Sequence, residues 1–466
     1  MKKYSWRNEM LNYTYCKRKI LLPKNTLETY VYDLDKKKFL LSKNGILTVK
    51  NWIESENVCD EENIVENEIN NIKTDLEQYG VDVLVFNSAE ICNLKCAYCF
   101  ANEGTYNSDN HKKTMLYSDY VRTYDIINDD HLVKAIEFFG GEPLLNYTEI
   151  RRFCEYVRKQ RAKEKLPMPE LGIITNGTLI NKDVWNFLDD FGFKITISLD
   201  GPQSINDKNR VYKNGRGSYD DVMKNLDISG KKNAFTACEA TLSCDVLEKM
   251  SVEEMVEYID FFEKLPCKTV AILFAIDEDS EKYARKDTFI DKLEKFYEVY
   301  VEYCVSHIMI GDLKLYHTDI INAIKAFIVG GEFSYCRAGV RQIFINVSGE
   351  IYPCQRYYGL REKFGTVDDY EEVKKAINCY KDDIESRINR KCFLCEFSHM
   401  CQGNSCPGTN LAINNSENDY IELLCVVNKT RNAQVLKKLF EIITDHGKSK
   451  QFMDNLRNYL NMLGEK

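Results

Sequence analysis

Three cysteines, Cys92, Cys96 and Cys99, lie in the stretch "EICNLKCAYCFANEGTY" (residues 90–106) with the spacing C-x3-C-x2-C. A closed zinc site takes four ligands. Three thiolates can instead bind three irons of a 4Fe-4S cube, which leaves the fourth iron without a protein ligand. An open position on a metal is where a substrate or cofactor binds. The spacing therefore predicts a catalytic cluster, with a zinc site completed by a distant His or Cys as the alternative.

A second set of seven cysteines lies between residues 336 and 425. Its order is C-x12-G-x4-C, with Gly349 as the glycine, then "CFLCEFSHMCQGNSC" and a last distant cysteine. The members are Cys336, Cys354, Cys392, Cys395, Cys401, Cys406 and Cys425. Two zinc ribbons are the alternative to iron–sulfur clusters, with His399 as the nearby non-cysteine ligand.

The remaining cysteines stand alone, and we expect them to be buried as small apolar side chains. They are Cys16, Cys59, Cys154, Cys238, Cys244, Cys267, Cys304 and Cys379.

Composition limits the class of protein. The chain has 466 residues, 44% of them hydrophobic, and a net charge of −9. This length suits two or three domains, and no basic stripe suggests nucleic acid. No apolar run is long enough for a membrane span, and the N-terminus lacks the apolar segment of a signal peptide. We expect a cytoplasmic protein whose 18 cysteines stay reduced, with the ten in the two clusters serving metal binding.

The elements that must position these cysteines alternate between strands and helices from about residue 81 to 310. The predicted strands are "VDVLVF", "KAIEFF", "LGIITN", "FKITISL", "FTACEATL" and "TVAILF". Helical runs such as "YTEIRRFCEYVRKQRAKE" and "DVWNFLDDFG" lie between them. Six such units predict an α/β fold with a partial (β/α)6 barrel, whose functional groups lie at the carboxyl ends of the strands.

Four regions are expected. Residues 1–80 predict a small α+β unit with a hairpin formed by "TYVYDL", "DKKK" and "FLLS", and helices at "NGILTVKNWIES" and "EENIVENEINNIKTDLEQYG". Residues 81–315 form the partial barrel. Residues 316–430 form a bridging region and a cysteine-rich domain, and residues 431–466 form C-terminal helices.

The first cysteine motif, with Tyr98 before its last cysteine, resembles the radical S-adenosylmethionine (SAM) superfamily. "FFGGEPLL", "ITNGT" and "ISLDGP" also resemble strand-end motifs of that family, in the expected order. The resemblance implies SAM contacts by Gly140, Gly141, Glu142, Asn176, Ser198, Asp200, Arg210 and Glu239. A surface salt bridge is the alternative for Arg210. For Glu239, where relatives have arginine, the alternatives are a substrate contact or a pairing with a neighbouring side chain.

The second set is similar to the SPASM extension of radical SAM enzymes, which binds two auxiliary 4Fe-4S clusters. The resemblance implies that Cys392, Cys395, Cys401 and Cys425 hold one cluster, and that Cys336, Cys354 and Cys406 hold the other. Four residues separate Cys401 from Cys406, where the family usually has three. An eighth cysteine, found in relatives just before the Cys336 position, is missing, so this cluster has an open iron unless Cys304 supplies the ligand.

Three 4Fe-4S clusters, SAM and an external electron donor such as flavodoxin or ferredoxin are therefore implied. The resemblance predicts a maturase of a ribosomally made precursor peptide that uses a 5′-deoxyadenosyl radical to form thioether crosslinks, as in sactipeptide and ranthipeptide synthases. Residues 1–80 resemble a winged-helix-like domain that binds the leader peptide. The alternatives are an anaerobic sulfatase-maturating enzyme and a maturase that makes carbon–carbon crosslinks. A non-enzymatic electron carrier would need none of the SAM-binding strand ends.

Overall fold

A four-stranded antiparallel sheet lies near the N-terminus. The computed structural model describes residues 14–16, 19–23, 29–33, 38–42, 61–106, 112–228, 235–277, 279–330, 335–395, 397–398, 400–401, 406–443 and 445–462. The sheet consists of β1 (Thr14–Cys16), β2 (Lys19–Pro23), β3 (Thr29–Asp33) and β4 (Lys38–Ser42), paired in chain order. The predicted hairpin is confirmed as β3 and β4. The helical run expected at residues 44–55 lies outside the described residues, whereas the next one is confirmed as α1 (Glu61–Glu77).

Six parallel strands, each hydrogen-bonded to the next, form the central sheet and confirm the predicted partial (β/α)6 barrel. They are β5 (Val83–Ala89), β6 (Ala135–Gly140), β7 (Glu170–Thr175), β8 (Lys194–Ser198), β9 (Phe235–Leu242) and β10 (Cys267–Phe274). Because parallel strands point the same way, their carboxyl ends and the loops that follow them share one rim.

Helices connect these strands and cover the sheet. They are α2 (Tyr117–Asp130), α3 (Tyr147–Glu164), α4 (Lys182–Asp190), α5 (Gln203–Asn209), α6 (Tyr219–Ile228), α7 (Cys244–Lys249), α8 (Val252–Glu263), α9 (Asp287–Ile310) and α10 (Thr318–Lys325). Aromatic side chains pack the first strands against their helices. Phe86 of β5 lies edge-on to Tyr120 of α2 with ring centroids 5.0 Å apart, and Tyr120 stacks on Phe153 of α3 at 5.1 Å.

The cysteine-rich region is continuous with the barrel sheet, which the sequence did not predict. Strand β11 (Tyr316–His317) pairs with β10 at one edge. At the other edge β12 (Gln342–Ile345) runs parallel to β5, and β13 (Glu350–Tyr352) and β14 (Gly365–Thr366) follow in antiparallel pairing. This pairing brings the segment around Cys354 to the side of β5, where the three-cysteine loop begins.

The C-terminal part is helical. Its helices are α11 (Tyr370–Asp382), α12 (Arg390–Phe393), α13 (Pro407–Asn414), α14 (Glu422–Ile443) and α15 (His446–Met462). The apolar face of α1, with Ile69 and Leu76, packs in one buried cluster with Tyr380, Ile384 and Phe393 of this region. In the part of the chain that the structure describes, no helix is both long and apolar enough to cross a membrane.

The prediction that the isolated cysteines are buried is confirmed for Cys154, Cys238, Cys244, Cys267 and Cys304. It is wrong for Cys379, which is exposed. Cys379 lies on the outer face of α11, since the inner face of that helix presents Val373, Ile377 and Tyr380. Cys59 and the side chain of Cys16 lie outside the described part of the structure.

Candidate active site

The three-cysteine loop follows β5 at the carboxyl rim of the sheet. Cys92, Cys96 and Cys99 are all half-buried. The backbone N–H of Leu94 donates to Cys92 Sγ over 3.4 Å, a contact that favours a thiolate. Backbone hydrogen bonds from Lys95 and Ala97 reach Val211 and Asn209, so the middle of the loop is held against the C-terminal end of α5.

The environment of these thiols fits a cluster. Burial, then Glu142, then the other two thiols raise the pKa of Cys92 to about 12. Burial raises the pKa of Cys96 to about 11, although Arg210 opposes this. Thiolates buried together need a cation, and iron supplies that charge. Among the described residues no three His, Cys, Asp or Glu side chains converge on a point where one metal ion would lie. In a 4Fe-4S cube each thiolate binds a different iron.

The chain at the C-terminal end of α5 holds the cysteine loop in place. The backbone N–H of Lys95 donates to the carbonyl of Val211 at 2.7 Å, and that of Ala97 donates to the carbonyl of Asn209 at 3.2 Å. These bonds fix the backbone between the first and third cysteines. The position of each thiol is therefore set by main-chain contacts as well as by its own rotamer.

A buried ion pair lies beneath this loop. Arg210 Nε donates to Asp200 Oδ1 at 2.8 Å, the backbone N–H of Thr241 donates to the same oxygen at 2.9 Å, and Tyr98 OH donates to Asp200 Oδ2. Asp200 is fully buried and Arg210 nearly so. The surface salt bridge that the sequence left open for Arg210 is thus wrong. The pair joins the ends of β8 and β9 to the cysteine loop through Tyr98.

The glycines after β6 allow the backbone to approach the cysteine loop. Gly141 N–H donates to the carbonyl of Ala89 at 2.7 Å, and Glu142 N–H donates to that of Ile91 at 3.0 Å. A Cβ on Gly141 would lie 2.2 Å from the Ile91 oxygen, and Gly140 has a φ of +137° that side chains rarely permit. Larger residues would separate β6 from the cysteine loop.

Glu142 has a structural role that the sequence did not reveal. Its Oε1 accepts from Leu144 N–H at 3.0 Å and from Thr175 Oγ1 at 2.7 Å, and its Oε2 accepts from Asn176 N–H at 2.8 Å. Burial raises its pKa to about 7, which these donors oppose. A carboxylate accepts about four hydrogen bonds, so this one ties β6 to β7 and keeps about one site for a ligand.

The other predicted SAM residues lie on neighbouring strands. Asn176 Nδ2 donates to Asn93 Oδ1 at 2.9 Å and lies 3.8 Å from Cys92 Sγ. Ser198 ends β8 and pairs in register with Glu239 of β9. Burial raises the pKa of Glu239, and the nearby charge of Arg210 opposes this. The structure brings the predicted residues to the same side of the sheet, with Glu239 three residues before the end of β9.

The second set of cysteines divides into two groups. Burial, then the thiols of Cys406 and Cys336, raise the pKa of Cys354 to about 12. Burial, then the thiols of Cys401 and Cys425, raise the pKa of Cys392 to about 12. The thiols that act on Cys354 and on Cys392 thus belong in each case to the group that the SPASM resemblance assigned. Cys395 is half-buried beside Cys392 on the short helix α12 and the turn after it.

Cys304 lies apart from both groups. It is fully buried in α9, and the groups that raise its pKa after burial are Glu263 and Asp319. Its surroundings also include the hydrogen-bonded pair of Tyr300 and His317, 2.9 Å apart. This location gives Cys304 a packing role in the helical layer behind the barrel.

Residues that sequence reasoning missed link the two cysteine regions. Glu90, two positions before Cys92, is buried and accepts from Tyr358 OH at 2.8 Å. Burial raises the pKa of Glu90 to about 7. Tyr106 packs beside Tyr358, with the two ring centroids 5.0 Å apart. No spacing signal relates positions 268 residues apart, so only the pairing of β12 with β5 reveals this junction.

Comparisons with known proteins agree with this geometry. Residues 86–262 match the family model of the Radical SAM superfamily. The chain is 26% identical over 349 residues to the radical SAM cyclopropyl synthase TigE of Paramaledivibacter caminithermalis, spanning 72% of this chain and 69% of TigE. It is 25% identical over 359 residues to a cysteine-type anaerobic sulfatase-maturating enzyme of Clostridium novyi, spanning 73% and 92%. The solved structure of native anSMEcpe with bound AdoMet has a TM-score of 0.63 at 18% identity and covers 77% of this chain and 98% of its own.

Proposed function

We propose that this chain, whose residues 86–262 form a radical SAM domain, is an enzyme that modifies a ribosomally made precursor peptide, with thioether formation as its reaction. The observation that supports a radical SAM enzyme is the three-thiol loop at the carboxyl end of β5, which is held against the glycines at the end of β6. The observation that carries the bond type is the group formed by Cys336, Cys354 and Cys406.

The rim of the barrel would hold the catalytic cofactors. Cys92, Cys96 and Cys99 would bind one 4Fe-4S cluster, and the segments at 140–142, 176, 198–200 and 210 would bind SAM. When bound, the reduced cluster and SAM supply one-electron cleavage of SAM and removal of a hydrogen atom from an unactivated carbon. The protein holds the cysteine loop rigid through backbone bonds to Val211 and Asn209, because a misplaced reacting atom costs rate steeply.

The Tyr98–Asp200–Arg210 network positions the cysteine loop. Asp200 accepts three hydrogen bonds from protein donors, two at Oδ1 and one at Oδ2, which leaves about one acceptor site on Oδ2 for a ligand. Its charge keeps the Arg210 guanidinium beside Cys96, where a cation stabilises a thiolate. The buried pair thereby shapes the rim on which SAM would lie.

The thioether assignment depends on the first auxiliary group. Cys336, Cys354 and Cys406 would hold an auxiliary 4Fe-4S cluster, with one coordination position for a substrate cysteine thiolate. The location of Cys304 among Glu263, Asp319 and Tyr300 supports this, because that thiol is the upstream candidate for a fourth ligand. Ligation would keep the substrate thiol deprotonated and near the carbon that loses its hydrogen. Cys392, Cys395, Cys401 and Cys425 would hold a third, fully ligated cluster that passes electrons from a flavodoxin or ferredoxin.

The N-terminal sheet would bind the leader of the precursor. Its edge strands are β1 (Thr14–Cys16) and β4 (Lys38–Ser42), and an extended peptide binds such an edge by adding one strand. The sheet precedes α1, which packs on the cysteine-rich region.

A second candidate is carbon–carbon bond formation, favoured by the similarity to a cyclopropyl synthase. Sulfatase maturation is a third, favoured by the similarity to the C. novyi enzyme. Against sulfatase maturation stand the seven auxiliary cysteines, where that class typically has eight, and the additional N-terminal sheet.

Alkylation of the product distinguishes these reactions. Enzyme reconstituted without oxygen would be given SAM, a reductant and a cysteine-containing precursor encoded beside its gene, and the product treated with iodoacetamide. A thioether consumes a thiol, so we expect the peptide to lose two hydrogens and one alkylation site together. Loss of two hydrogens with every thiol still alkylated would refute the thioether assignment, and fragmentation of the product would then test for a carbon–carbon bond. Conversion of a cysteine to an aldehyde would indicate the sulfatase-type reaction.

A further inference from the structure

Arg356 lies where the two proposed cluster sites meet. It follows Cys354 by two residues, and its guanidinium carbon lies 3.7 Å from the centre of the Phe100 ring. Phe100 follows Cys99 directly. On the other side, Gly408 follows Cys406 by two residues, and a Cβ on Gly408 would lie 2.7 Å from Arg356 Cβ. One side chain is thus enclosed by segments that carry ligands of both clusters.

The guanidinium has thiols rather than carboxylates as its charged neighbours. Burial lowers the pKa of Arg356, and Cys406, Cys354, Tyr106 and Cys99 oppose this in that order. In the described part of the chain, no hydrogen bond or ion pair with a carboxylate reaches it. The contrast is Arg361, five residues on, which pairs with Glu417.

A fixed cation at this position changes the free energy of reducing the adjacent clusters. A cluster with thiolate ligands is anionic, and one added electron makes it more so. A nearby positive charge in a partly dry environment therefore stabilises the reduced form more than the oxidised form. Burying a cation without a counter-ion costs free energy. A buried Arg356 with no carboxylate partner is therefore consistent with anionic clusters that balance its charge.

We propose that Arg356 is a positioning residue that raises the reduction potentials of the cluster on Cys336, Cys354 and Cys406 and, to a lesser degree, of the cluster on Cys92, Cys96 and Cys99. The inference rests on the proposed function, since it requires both clusters. In each reduction the cluster gains one electron from an external donor. Arg356 keeps its protons, and no covalent bond forms or breaks.

Redox titration of the holoenzyme followed by electron paramagnetic resonance tests this. The variants are Arg356→Gln, Arg356→Met and Arg356→Lys, with Ti(III) citrate as reductant. The neutral variants should make reduction of the first auxiliary cluster at least about tenfold less favourable, about 59 mV for a one-electron couple, and shift the catalytic cluster less. Arg356→Lys keeps the charge and should stay within about threefold of the native protein. The cluster on Cys392, Cys395, Cys401 and Cys425 should not shift and serves as an internal reference.

Arg158→Gln is the matched control, because Arg158 also lies over a ring, that of Phe191 at 4.1 Å, and the cysteine near it, Cys154, is not a proposed cluster ligand. Arg356→Met guards against failure to fold, since its side chain can still pack on Phe100. Iron is measured first. Native protein without iron would refute the proposed function itself. Loaded clusters whose potentials match in all variants would overturn this inference alone, as would a change confined to peptide affinity.

Discussion

Gly141→Ala should uncouple β6 from the three-cysteine loop. The added Cβ would lie 2.2 Å from the carbonyl oxygen and 2.5 Å from the carbonyl carbon of Ile91, far inside contact distance. Both are main-chain atoms, so no rotamer change can relieve the overlap. Overpacking in a tight site costs about 1–3 kcal/mol, and a backbone clash belongs at the upper end. About 3 kcal/mol corresponds to on the order of a hundredfold in the equilibrium for docking the loop.

The assay is iron content and SAM-dependent spectral change after anaerobic reconstitution, because the loop must dock to hold its cluster. Gly172→Ala is the matched control. Gly172 lies on the neighbouring strand β7, where a Cβ would meet nothing closer than 3.7 Å. Gly141→Ala should lose about four irons of the native content, as one 4Fe-4S cluster requires, whereas Gly172→Ala should keep them all. Equal iron content and equal SAM response in the two variants would refute the reasoning.

Three further predictions follow from the same contacts. Asp200→Asn leaves Arg210 buried without its counter-charge and should lower the free energy of unfolding by about 3–5 kcal/mol. Asp190→Asn, at the exposed pair with Arg158, should lower it by under about 1 kcal/mol. Equal losses of stability in urea unfolding would contradict this prediction. Cys304→Ala should leave the iron content unchanged while Cys336→Ala lowers it, and iron loss in both would assign Cys304 as a ligand. Deletion of residues 1–60 spares α1 and its packing. It should weaken precursor binding, measured by fluorescence anisotropy, without abolishing SAM cleavage. Unchanged affinity for the precursor would exclude the N-terminal sheet as the leader site.

The sequence predicts the barrel well because each strand is short, apolar and followed by an amphipathic helix. Each of the six predicted strands overlaps one of the strands β5 to β10, and α3 coincides with its predicted run. Local pattern alone suffices for such elements. The exposed Cys379 shows the limit, since the face of a helix that a cysteine occupies depends on the packing of its neighbours.

The candidate site is predicted only as far as motifs reach. Cysteine spacing named the thiols, and the structure adds how they are held. The pairing of β12 with β5 joins residues more than 250 positions apart, and no local signal encodes it. Glu142 and Asp200 show the same limit. Both have the residue type expected of ligand contacts, yet most of their oxygen lone pairs accept from the protein.

Glu239 illustrates a choice that sequence alone left open. Its neighbour Arg210 and its place below the strand end favour an electrostatic role within the barrel. Burial raises the pKa of Glu137 on β6, and the nearby charge of Glu239 raises it further. A pair of carboxylates on separate strands is invisible to motif reasoning, because their approach depends on how the sheet curves.

Iron content joined to SAM cleavage is the measurement that tests the account most directly. Native protein purified and reconstituted without oxygen should hold about twelve irons, from three four-iron clusters, and should cleave SAM when reduced. Replacing Cys92, Cys96 and Cys99 together by Ala should remove about four irons and abolish cleavage, while the other clusters keep their spectra. Zinc in place of iron in the native protein, or SAM cleavage that survives the triple replacement, would contradict the account.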